Sequence, residues 1–121
     1  MFTRQERVKR EGSEYFTWEP APAATATAAI ETGTQFPRAR KYQPLDFIEV
    51  CNNDVVDLTL TINGNITLPV PAGVIRKVVN QTLWQVGITN DDAATNATAG
   101  AIVVSMRREP MTIDDYARGK R

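Results

Sequence analysis

Residues 55–70 read VVDLTLTINGNITLPV. Leu58, Leu60 and Ile62 alternate with Asp57, Thr59 and Thr61, so an extended strand puts three large apolar side chains on one face and three polar ones on the other. Asn63-Gly64 follows, a pair that accepts the positive φ angles of a tight turn. Ile66, Leu68 and Val70 then resume the alternation on the way back. The stretch predicts an antiparallel hairpin with one buried face. Pro69 has no N–H to give to a ladder, which predicts that the returning strand lies at a sheet edge or ends there.

The same grain extends on both sides. Phe47 to Cys51 reads as a strand before the hairpin, with Asn52-Asn53-Asp54 as the turn between them. Pro71-Ala72-Gly73 makes the next turn, and Val74–Val79, Leu83–Thr89 and Ala101–Met106 supply three further strands. Trp84, Val86 and Ile88 alternate with Gln85 and Gly87, which predicts Trp84 in the core. The polar run NDDAATNATAG, residues 90–100, offers nothing to offset the burial of its backbone and belongs on the surface. Six closely spaced strands without an intervening helix predict an all-β fold. A small antiparallel β-sandwich, jelly-roll-like, is the architecture that buries one face of each.

Residues 1–41 read as an extended N-terminal arm and linker, 42–106 as the sandwich, and 107–121 as a charged tail. TRQERVKREG has almost no apolar face. Tyr15, Phe16 and Trp18 stand together just before Pro20 and Pro22, which hold the chain extended. Such a cluster either folds back onto the sandwich or anchors the arm to another subunit, and these three are the candidate partner-binding residues. The Thr/Ala alternation at 24–28 allows a strand with a weak apolar face. Arg38, Arg40 and Lys41 lack a recognisable nucleic-acid module and read as a solvated linker. In the tail, Thr112 and Asp115 resemble a capping box that opens a short helix through Ala117.

Formal net charge is zero but unevenly spread. Residues 42–106 carry only Arg76 and Lys77 against Asp46, Glu49, Asp54, Asp57, Asp91 and Asp92. Basic ends around an acidic body favour an end of one copy lying on the body of the next, and the acidic strand region argues against nucleic acid as a partner. No apolar run is long enough for a membrane helix, and the charged N-terminus lacks the apolar region of a secretory signal.

Chemistry is sparse. The chain has no histidine and one cysteine, Cys51, read as a buried structural thiol. No GxSxG, GxxxxGK[ST], GxGxxG or HExxH pattern occurs. The acid pairs Asp54/Asp57, Asp91/Asp92 and Asp114/Asp115 read as turn residues rather than a catalytic pair or a calcium loop. No catalytic residue, cofactor or metal is expected, and the chain is read as a non-enzyme.

From Ile48 to Met106, the order of asparagine turn, alternating strand, INGN hairpin, PAG turn and AGAIVVSM resembles small β-sandwich structural proteins of virions that infect bacteria or archaea. The resemblance covers about half the chain. It implies a minor capsid, decoration, head-tail or tail component, made in the host cytoplasm and carried in the virion. Its partners would be copies of itself and a larger capsid, portal or tail protein. The alternative is a carbohydrate- or cell-surface-binding sandwich that uses Trp84 and the 90–100 loop.

Overall fold

A computed structural model describes residues 11–110. Eight strands are formed: β1 (Phe16–Trp18), β2 (Thr27–Glu31), β3 (Leu45–Asn52), β4 (Leu58–Ile62), β5 (Ile66–Val70), β6 (Ile75–Leu83), β7 (Gln85–Asn90) and β8 (Ile102–Arg107). A four-residue helix, α1 (Thr32–Gln35), and a 3-10 segment, Pro37–Tyr42, lie between β2 and β3. Strand pairing is nested and antiparallel: β4 with β5, β3 with β6, β2 with β7 and β1 with β8. Two further pairings, β3 with β8 and β4 with β7, roll this hairpin into two four-stranded sheets, β1-β8-β3-β6 and β2-β7-β4-β5. Rolled in this way, the chain is an all-β sandwich with the strand order of a jelly roll.

The central hairpin folds as its sequence predicts. Leu58, Leu60 and Ile62 are fully buried or nearly so, and they face Val70, Leu68 and Ile66 across the pair. Asn63 and Gly64 take φ of 54° and 77°, and Asn65 N–H donates to the Ile62 carbonyl at 3.2 Å. Burial of each such Leu or Ile is worth about 1.5–3 kcal/mol, whereas an outward Thr pair contributes about 0.2–1 kcal/mol. The inner face therefore decides the register. Pro69 lies on β5, the edge of its sheet, where its missing N–H leaves no ladder bond unmade.

The core between the sheets is completed by Ile48 and Val50 of β3, Val86 and Ile88 of β7, and Ile102, Val104 and Met106 of β8. Two buried asparagines close one end of it. Asn52, the last residue of β3, donates through Nδ2 to the Val56 and Val70 carbonyls at 2.9 and 3.0 Å and accepts Asp54 N–H at 3.0 Å. Asn90, the last residue of β7, repeats the device. Its Nδ2 donates to the Thr95 and Pro22 carbonyls at 2.8 and 3.3 Å, and Oδ1 accepts Asp92 N–H at 2.9 Å. Each buried amide turns the chain out of its sheet while it bonds the backbone of the segment that follows.

The structure corrects four readings. Residues 16–42 are integral to the sandwich rather than an arm and linker, because they supply β1, β2 and the helical segments that cover the core beside Phe16. Trp84 is 48% exposed rather than in the core. The chain crosses from one sheet to the other between β6 and β7, so the inside–outside alternation restarts there and Trp84 falls on the corner. Cys51 is only half-buried, on the outer side of β3, because Val50 and Asn52 take the inward positions. Arg107 ends β8 instead of opening a tail. The charged residues 1–10 and the capping box at Thr112 lie outside the described residues. Among the described residues, no helix is long and apolar enough to cross a membrane.

The loop after β7 is stitched down by its own acids. Asp92 Oδ1 accepts the N–H groups of Ala94 and Thr95, both at 2.8 Å, and these bonds hold its carboxyl below the ordinary value of 3.8. A carboxyl with a lowered pKa stabilises the fold at pH above 3.8, and that contribution fades as pH falls through the lowered value. Amide exchange at Ala94 and Thr95 should therefore lose protection at the acid end relative to core amides. Asp92→Asn, which keeps an acceptor oxygen but cannot titrate, should flatten that dependence; an unchanged profile would count against this role.

Candidate assembly interface

The β1-β8-β3-β6 sheet divides the aromatic cluster singled out from the sequence between its inner and outer sides. Phe16, 7% exposed, pairs with Met106 and points inward, with its ring 5.6 Å from Phe36 and 6.3 Å from Tyr42. Trp18 pairs with Val104 and is half-buried against the same core. Tyr15 alone remains on the surface, 53% exposed. Its ring meets Phe47 edge-on at 6.1 Å, and the Arg107 guanidinium lies 4.6 Å from the Tyr15 centroid and 5.7 Å from that of Phe47. Arg107 is held in turn by Glu109 at 2.8 Å.

Phe47 reaches this outer face because the register of β3 against β6 shifts between Leu45 and Phe47, while Asn80 on β6 takes a φ of 57°. Beyond the shift the rows are regular. Val79 lies across from Phe47, Lys77 across from Glu49, and Ile75 across from Cys51. Val79 and Ile75 are 58% and 57% exposed, and Lys77 Nζ lies 3.6 Å from Glu49 Oε2. The surface reads apolar, ion pair, apolar along two adjacent strands. An exposed ion pair of this kind is worth under about 1 kcal/mol to the fold. Two exposed β-branched side chains on a nine-residue edge strand contribute little to it either, and they leave an unpaired ladder open.

Of the carboxylates considered from the sequence, Asp114 and Asp115 lie outside the described residues, and Asp54, Asp57 and Asp91 hydrogen-bond within the fold. Asp54 accepts Thr98 N–H at 2.6 Å and Val55 N–H at 2.7 Å, Asp57 accepts Ala72 N–H at 2.9 Å, and Asp91 accepts the Thr59 hydroxyl at 2.6 Å. Among the described residues, no three His, Cys, Asp or Glu side chains gather as a metal site. Trp84 and the 90–100 loop, joined in one alternative, lie at opposite ends of β7. The sequence singled out neither Ile75 nor Val79, although Ile-Arg-Lys-Val-Val does signal a strand without a clean apolar face. No family model, curated protein or solved structure matches the chain.

Proposed function

We propose that the chain is a non-enzymatic structural protein of a virion, a minor capsid, decoration, head-tail or tail component that binds copies of itself and a larger shell protein. The observation that carries this reading is the outer face of β3 and β6 on a jelly-roll sandwich, where Ile75 and Val79 stand exposed on either side of the Lys77–Glu49 pair and beside Phe47, which is itself buried. Jelly rolls serve in capsids, lectins and cupins alike, so the surface and not the fold supports the assignment. The face is self-complementary. A two-fold axis running along the strands between β3 and β6 sets Lys77 over Glu49 of a second copy, Val79 over Phe47 and Ile75 over Cys51. Tyr15 and Arg107 border this patch and supply the residue types that dominate interface energetics.

Light scattering of the full chain across concentration and salt tests the reading. The expected result is a closed oligomer that Ile75→Lys with Val79→Lys converts to monomer, with the melting temperature of the folded monomer unchanged, since neither side chain packs in the core. A wild-type chain that stays monomeric at every concentration, or a double variant that still assembles, overturns this interface. Removal of residues 1–20 is not a test of assembly, because it takes away β1 and Phe16 with it.

A further inference from the structure

Trp84 stands where the chain leaves β6 and enters β7, and its backbone is held on both sides. Its N–H donates to Asn63 Oδ1 at 2.9 Å, and its carbonyl accepts Thr32 N–H at 3.0 Å. Asn63 accepts Gln85 N–H as well, at 3.1 Å, and donates through Nδ2 to the Thr82 carbonyl at 2.8 Å. An indole that could have been buried is instead displayed from a rigid corner. It walls a cavity of about 600 Å³ together with Glu31, Arg40, Gln43, Asn63 and Gln85. That volume falls within the roughly 300–1,000 Å³ typical of small-molecule sites.

The lining has a definite chemistry. Glu31 and Gln85 are register partners across β2 and β7 and project from the outer side of their sheet. Arg40 is oriented by its Nε–H bond to the Gly33 carbonyl at 2.9 Å, and Gln43 by its Nε2 bond to Thr32 Oγ1 at 3.0 Å. One carboxylate, one guanidinium and planar amides around an aromatic face match a ligand with a C–H face and a rim of hydroxyls. The carboxylate accepts from hydroxyls, the guanidinium donates to them, and the opposite charges leave no excess to select an ion. A second hollow of about 500 Å³ shares Glu31 and Gln85 and continues over Ala29 and Gly87 toward Thr89. The trough is therefore longer than one ring.

We infer that this trough binds a neutral oligosaccharide, with one sugar ring stacked on Trp84 and its hydroxyls bonded by Glu31, Arg40 and Gln85. It lies on the β2-β7-β4-β5 sheet, away from the face proposed for assembly, so either reading can fail alone. Calorimetric titration of the full chain with cello-, malto-, manno- and chito-tetraose tests it at low and high salt. At least one should bind with a Kd below about 1 mM and little salt dependence. Trp84→Ala should weaken binding by about tenfold or more, with Trp84→Phe recovering part of the loss. Arg40→Ala and Glu31→Gln should fall in between. Thermal unfolding of each variant confirms folding, and if Trp84→Ala fails to fold, Trp84→Phe and Arg40→Ala decide. Absence of binding by the wild-type chain to every tetraose overturns the inference, as does affinity that is indifferent to these substitutions. Binding of every tetraose that collapses with salt also overturns it, since a neutral sugar stacked on an indole has no charge for salt to screen.

Discussion

Asn52→Leu is expected to cost the sandwich about 3 kcal/mol or more, although leucine is far more apolar and similar in size. The amide is fully buried and serves the carbonyls of Val56 and Val70 and the N–H of Asp54. Leucine answers none of them, and each group orphaned away from water costs about 1–3 kcal/mol. The gain from a buried apolar side chain, about 1.5–3 kcal/mol, is smaller than the sum of those penalties. The expected readout is a lowered denaturant midpoint with an unchanged slope. A leucine variant as stable as the wild type would mean that water reaches these groups, and Asn52 would then be a turn residue only.

Phe16→Ala should be similarly damaging, at about 3–5 kcal/mol, because the ring fills the space between β8 and the 3-10 segment, beside Phe36 and Tyr42. A domain of this size holds about 5–15 kcal/mol in all, so the variant should be marginal at best. Tyr15→Ala, one residue away, removes a surface ring over Phe47 and Arg107 and should cost about 0.5–1.5 kcal/mol. The contrast separates the two roles that adjacent aromatics play here. Equal losses for the two variants would show that Tyr15 belongs to the core as well.

The contrast also shows what was legible in the sequence. The strand pair 58–70 announced itself because five residues on each side are enough for a period of two to stand out, and Pro69 marked the edge by what it lacks. β1 is three residues long, too short to show any period, so Phe16 was seen as an aromatic but not as a core residue. β2 is built from Thr, Ala, Ile and Glu, with small side chains that carry little hydropathic signal, and its place is set by β7. Trp84 was misread because the alternation was carried through a corner where the chain changes sheets. Asn52 was read as a turn former, which it is, and Asn90 as the start of a surface loop, whereas both are fully buried. Their burial depends on carbonyls from segments as distant as Val70 and Pro22, and no local pattern encodes that. The apolar spots at Ile75 and Val79 take shape only once β6 is set beside β3, since Phe47 and Cys51 complete them from a different part of the chain.

Nested pairing also bears on how such a chain can find its fold. Joining β1 to β8 directly would close a loop of some eighty residues, an entropic cost that grows with the logarithm of its length. The rolled hairpin avoids that single step. Once Asn63 and Gly64 have brought β4 against β5, the ends of β3 and β6 are already near, and their pairing brings β2 and β7 within reach in the same way. Each closure shortens the next, so assembly can proceed as a zipper from the middle of the chain outward. In that order Ser13 and Arg108, which exchange bonds of 2.9 and 2.8 Å, are the last to meet. The weakest link in folding would then be the clasp at the two ends of the sandwich and not the turn at its centre.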